Sequence, residues 1–249
     1  MKNWIIVLIA TISLSFLSCQ KSEPPKEYSK TVFVLVDYSE SARNARQDYM
    51  DAFKKLISRI NIGDHLFVWK ITELSEMEIK PLIDEDFPFP PPSPNEFYRK
   101  QAIAKAEKEL KEKLKDIEKK VQSFLNSEEQ LAIRTAILGS LQVAEKVFTK
   151  DRRDKSILVI MSDMIEDSSE YNFEREKLSD KRIAEIIATE KAKKRLPVLN
   201  GIKVYVTGAR IPNREKFYNI QNFWLRYFKE CGANLSKENY GSALLNFDE

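Results

Sequence analysis

Histidine is all but missing from this chain. His65 is the single one in 249 residues, and only two cysteines, Cys19 and Cys231, accompany it. One histidine cannot build a zinc set of several histidines, its place inside a strand signal argues against a histidine triad, and G-x-S-x-G is absent as well. Two cysteines give no disulfide framework. No G-x-G-x-x-G and no P-loop follows any strand signal, so nucleotide phosphates have no cradle. A charge excess is lacking too: 41 Lys plus Arg stand against 38 Asp plus Glu, a net of +3 that calls for no nucleic acid. His65 itself falls inside a strand signal, where a partly exposed structural role is expected, and no internal repeat is visible.

What is present begins at the first residues. Lys2 gives a positive start, and residues 4–17 are an unbroken apolar or hydroxyl-bearing stretch. That stretch is too short to span a bilayer comfortably and has signal-peptide anatomy. Phe16-Leu17-Ser18-Cys19 resembles a bacterial lipobox. The resemblance implies cleavage before Cys19, lipid on its thiol, and a mature chain exported and lipid-anchored in the cell envelope, on a periplasmic or surface face. An ordinary secretory leader is the alternative. Residues 1–18 are then the signal peptide and residues 19–29 the lipidated cysteine and tether. Residues 20–29, polar and with two prolines, can reach at most roughly 33–36 Å. Cys231 is left as a small buried hydrophobe at a helix end. The remaining residues, 43% apolar across the full chain, suit one medium domain with an elaboration, or two small ones.

From residue 31 strand and helix signals alternate. Residues 31–36 (TVFVLV) read as a strand. Ala42, Ala45, Tyr49, Phe53, Leu56, Ile57 and Ile60 follow at helical spacing, ending near Gly63. Residues 64–71 make a second strand, which implies a right-handed parallel crossover. Residues 78–83 read as a short third strand, antiparallel at an edge. Residues 87–94 hold prolines at 88, 90, 91, 92 and 94, and must form an extended connector. Leu110, Leu114, Ile117, Val121 and Phe124 then mark the seam of one amphipathic helix over about residues 95–125. At 1.5 Å per residue it would be about 45 Å long, so it should break or project past the domain. A basic surplus over residues 99–120 reads as a solvated face, with the seam packed on the sheet.

Residues 127–130 match a capping box. Residues 135–148 are helical by spacing, and residues 155–162 (KSILVIMS) have the near-continuous apolar run of a central parallel strand. A helix over 183–196, a strand over 201–206, a helix over 213–231 closed by Gly232, and a short strand near 243–247 complete the pattern. In the helix over 213–231, Phe217, Tyr218, Phe223, Trp224, Tyr227 and Phe228 occupy too much of the circumference for all to face one sheet. The order predicts an α/β fold: a doubly wound, mostly parallel open sheet with an inserted long amphipathic helix at about 88–126 of a domain over 30–249.

In such a sheet ligands bind beyond the carboxyl ends of the strands. Asp37, Ser39 and Ser41 leave the first strand as D-Y-S-E-S, and their oxygens can point at one centre, which suits a hard cation. Asp163 stands at the end of the later central strand, and Thr135 begins the helix before it. This set resembles the metal-ion-dependent adhesion site of von Willebrand factor type A domains, whose pattern is D-x-S-x-S, then T, then D. The resemblance implies Ser39, Ser41 and Thr135 as hydroxyl ligands, and Asp37 and Asp163 as charge-balancing carboxylates acting mostly through water. Asp167 is a fallback for Asp163. It further implies a divalent cation, magnesium first with manganese or calcium as alternatives, and a protein partner whose acidic side chain completes the coordination. Many members of that family carry glycine where this chain has Arg134 and Met164, and loops without those glycines lose positive-φ freedom.

Other readings differ in kind. An aspartyl phosphotransferase would carry a second acid at position 39, which is serine. A metal-assisted hydrolase at the same rim survives, although a non-enzymatic module is the expectation. An envelope assembly factor that pairs its helical seam with another helix is a third possibility.

Overall fold

The structure, a computed structural model, describes residues 28–73, 80–127 and 132–243. In chain order the elements are β1 (Lys30–Asp37), α1 (Arg46–Ile57), β2 (His65–Ile71), β3 (Ile83–Asp86), α2 (Glu96–Asn126), α3 (Ile137–Lys150), β4 (Lys155–Met161), α4 (Asp180–Ala192), β5 (Lys203–Thr207) and α5 (Arg214–Glu230). They form one sheet in the order β3-β2-β1-β4-β5. β1, β2, β4 and β5 are parallel, and β3 runs antiparallel at the edge. This is the doubly wound, mostly parallel α/β architecture expected from the alternating pattern.

Alternation along the buried strands divides the core. Val32, Val34 and Val36 pack with Tyr49, Phe53 and Leu56 of α1, and with Leu110, Ile117, Val121 and Leu125 of α2. Phe33 and Leu35 point the other way, into the core lined by α3, α4 and α5. A fully buried central strand can be apolar on every residue because both of its faces are covered. In α5, Phe223, Trp224, Tyr227 and Phe228 are buried whereas Tyr218 is 50% exposed, so the aromatic ring of that helix is indeed not all turned to the core.

Several boundaries differ from expectation for local reasons. β3 begins where the expected strand over 78–83 ends, because Pro81 has no N–H for the ladder; residues 78 and 79 lie outside the described residues. A 3-10 turn over Ser41–Ala45 replaces the first turn of the first helix. The helix expected from 135 begins at Ile137, so Thr135 precedes it. Residues 128–131 of the capping-box region and residues 244–247 of the last expected strand lie outside the described residues. Tyr240 instead makes a parallel bridge to Val206 of β5.

The inserted helix does not break. α2 is continuous over 31 residues, and its seam packs on α1 and shares the core formed by α1 and one face of the sheet. Within the chain Leu110, Ile117 and Val121 of this seam are buried, and Leu114 and Phe124 are partly buried against the same core. Among the described residues, no helix is long and apolar enough to cross a membrane.

Candidate functional site

The strand order reverses between β1 and β4, so the loops that leave those strands part over a crevice. Four segments meet there. The Ala132 N–H donates to the Tyr38 carbonyl (3.1 Å), the Asp167 N–H donates to the Thr135 carbonyl (2.9 Å), and the Ser162 N–H donates to the Thr207 carbonyl (3.0 Å). These bonds join the loop after β1, the segment before α3, the loop after β4 and the end of β5 into one rim.

Asp37, fully buried, is the centre of this rim. Its Oδ1 accepts from the Ser39 N–H (2.9 Å), and its Oδ2 accepts from the Ser162 hydroxyl (2.8 Å). Burial raises its pKa, and hydrogen bonds from Ser39, Ser162 and the Thr135 side chain hold it down in part. Thr135 therefore faces the same carboxylate as Ser39. The Ser39 and Ser41 hydroxyls lie 3.0 Å apart, with Ser39 buried and Ser41 exposed. The Asp163 Oδ1 accepts from the Ile165 N–H (2.9 Å). Burial pushes the Asp163 carboxyl up to about 7, and the charge of Asp37 adds to the rise. The structure thus brings Asp37, Ser39, Ser41, Thr135 and Asp163 together.

Tyr49 belongs to the same neighbourhood. Among the described residues its buried hydroxyl has no hydrogen-bond partner, and its pKa is raised by burial and then by Asp37 and Asp163. Gly208, at φ 93°, lets the ring in: a Cβ there would stand 2.3 Å from Tyr49 Cε1.

Met164 adopts φ 67° without being glycine. Its N–H donates to the Ser162 hydroxyl (3.0 Å), its carbonyl accepts from the Trp224 indole N–H (2.8 Å), and its side chain is fully buried. Hydrogen bonds and packing hold the left-handed backbone that glycine would adopt freely, so the expected loss of that conformation does not occur.

Two contributors went unrecognised in the sequence. Ser162 bridges Asp37 and Met164; its only signal is a hydroxyl directly before Asp163 at a strand end. Glu166, fully buried, caps α3: its Oε2 accepts from the Leu138 N–H (3.0 Å), and burial pushes its pKa up to about 8. The signal there was negative, since Ala136 at the N-cap position cannot bond the first turn. Asp167 is committed elsewhere, its Oδ1 accepting from the Asn172 amide (2.9 Å). His65 is structural, held between Asp84 (2.8 Å) and Asp151 (3.2 Å). Cys231 is buried and free, as expected of a small hydrophobe, whereas Cys19 lies outside the described residues.

The donor set suits a hard cation. Asp37 and the half-buried Asp163 hinder each other's ionisation, their hydrogen-bond partners are neutral, and hydroxyl oxygens stand beside them. Among the described residues, no three His, Cys, Asp or Glu side chains gather at metal-holding spacing, so a cation here would depend on hydroxyls.

No family model matches the chain, and no curated protein matches it. Solved structures with a similar arrangement exist. A von Willebrand factor type A protein from Catenulispora acidiphila is 11% identical, with a TM-score of 0.41 over 82% of this chain and 42% of its own. A D319A mutant of the PilB minor pilin from Streptococcus sanguinis is 12% identical, with a TM-score of 0.47 over 89% and 58%. An aerotolerance-related membrane protein from Bacteroides fragilis is 14% identical, with a TM-score of 0.38 over 84% and 92%. The chain spans about half the length of the first two.

Proposed function

We propose that this rim binds one divalent cation, magnesium first with manganese or calcium as alternatives, and through it an acidic side chain of a protein partner. Ser39, Ser41 and Thr135 supply hydroxyl ligands. Asp37 and Asp163 balance the charge. The domain is held at the bacterial envelope by lipid on Cys19.

The observation that carries this reading is the pairing of Asp37 with Asp163 beside the Ser39 and Ser41 hydroxyls, with Thr135 turned to the same carboxylate. Placing two carboxylates close together in a desolvated crevice is costly unless a positive charge joins them. The surroundings also suit a partner: Ile133 is 85% exposed and Arg134 is exposed, both on the segment that presents Thr135. An apolar contact and a cation beside a metal would favour an acidic surface.

Thermal melting with magnesium, with manganese and with a chelator tests the proposal. Cation should raise the melting temperature of the unaltered chain, chelator should reverse the gain, and Ser41→Ala, which removes an exposed hydroxyl, should lose it while folding normally. Identical curves under all conditions would remove the basis for the site. Turnover that needs the cation would instead select a metal-assisted hydrolase at the same rim.

A further inference from the structure

The edge of the sheet opposite the rim carries a second feature. Asp64, just before β2, ties two chain segments together there. Its Oδ1 accepts from the Lys30 N–H (3.0 Å), where the chain enters β1, and its carbonyl accepts from the Phe87 N–H (2.9 Å), where the proline-rich connector leaves β3. The Lys30 ammonium adds an ion pair to Asp64 at 3.6 Å. The N-terminal segment and the connector therefore leave from the same strand-start edge, the segment from beside β4, where Ser29 donates to Asp154, and the connector from beside β2.

The connector is pinned once more and then leaves the domain. The Phe89 ring lies over Gly63, whose φ of 94° and missing Cβ make room for it. Beyond Phe89 the chain runs to Asn95, the N-cap of α2, whose side chain accepts from the Phe97 and Tyr98 N–H groups. The first buried residue of α2 is Leu110. At about 3.1 Å per residue the extended stretch from Phe89 to Asn95 reaches roughly 20 Å. At about 1.5 Å per residue the helix from Glu96 to Leu110 returns roughly the same distance. The two arms match and make a stalk. Further along, Phe124 stacks on Tyr38 near the rim (4.2 Å between centroids), so α2 runs from the strand-start edge toward the rim and the stalk points away from it.

Two large exposed aromatic side chains stand at the turn of this stalk, Phe97 at 67% and Tyr98 at 60% exposure, followed by Arg99 and Lys100, both exposed. Aromatic side chains backed by cations suit the interfacial layer of a bilayer whose headgroups are anionic. The tether, which leaves from the same edge as the stalk, reaches at most roughly 33–36 Å, longer than the stalk, so a membrane carrying the end of the tether comes within reach of the tip.

We propose that the stalk over residues 89–110 is a strut whose Phe97–Tyr98 tip rests in the bilayer surface to which the tether is attached, holding the Asp37 rim away from the membrane. This rests on the lipid anchor at Cys19 proposed above. A tether of this length keeps the local concentration of lipid high, so two aromatic side chains with poor free affinity are enough to set orientation.

The test uses the leaderless chain from residue 19 onward, its Cys19 thiol coupled to a maleimide-headgroup lipid in phosphatidylglycerol vesicles that also contain acyl-brominated phosphatidylcholine. Phe97→Trp should shift its emission to the blue and be quenched by the bromines, whereas Ile133→Trp at the rim should not. Equal quenching at both positions, or none at Phe97→Trp, would overturn the strut. Shielding of Phe97→Trp only when an envelope protein fraction is added would overturn it in favour of a protein partner. Because the coupling is chemical, the anchor is judged separately, by fatty-acid labelling in cells with and without Cys19→Ser, and either idea can fail alone.

Discussion

Ser162 serves two buried groups at once, donating to Asp37 and accepting from the Met164 N–H. In Ser162→Ala both would lose a partner, and a buried polar group without one costs about 1–3 kcal/mol. Urea denaturation should show a loss in that range; a change near zero would mean that water replaces the hydroxyl. Glu166 gives a pH signature. Its folded pKa is about 8 against an ordinary 4.5, so between those values the folded protein keeps a proton that the unfolded chain has released. Stability therefore falls as pH rises through that window. Asp163 adds a fall between 3.8 and about 7. Glu166→Gln keeps the capping oxygen without the ionisation. It should abolish the part of the decline that lies above pH 7, and parallel stability curves for the two proteins would contradict this origin. At this scale Asp37, Ser39 and Ser41 were legible as a short-range pattern at a strand end, whereas Thr135 and Asp163 were placed beside them through the sheet order and the resemblance. Ser162 and Glu166 were not legible, since what they bond is brought near only by the fold.

Elements were legible to the extent that their periodicity was long. α2 was readable from its seam, and β1 and β4 from unbroken apolar runs. Edges were harder: Pro81 delayed β3, and a 3-10 turn took the first turn of the first helix. The two halves of α2 should behave differently. Leu125, buried in the shared core with α1, should cost about 2–5 kcal/mol on replacement by alanine, because a cavity adds to the lost transfer energy. Asn95→Ala removes an N-cap worth about 0.5–2 kcal/mol to the helix, but no residue before Leu110 is buried. Hydrogen exchange should quicken in the first turns of α2 while the global melting temperature stays put; an equal loss in both readouts would mean that the stalk is part of the cooperative core.

For the whole molecule, the sheet order was legible because right-handed crossovers leave few ways to arrange strand–helix alternation. The direction of the long helix relative to the sheet was not, since nothing local specifies that its seam meets α1. The result has two ends: a rim of hydroxyls and carboxylates at the carboxyl edge, and the tether root with its stalk at the other. If the proposed anchor and strut hold, the rim faces away from the membrane, where the proposed partner would reach it.

Electron paramagnetic resonance of manganese titrated into the purified chain tests the rim most directly. One equivalent of manganese should lose its free-ion signal on the unaltered protein and recover it with chelator, with weaker uptake in Ser41→Ala and Thr135→Val. A free-ion signal that is unchanged by the protein would contradict the cation site.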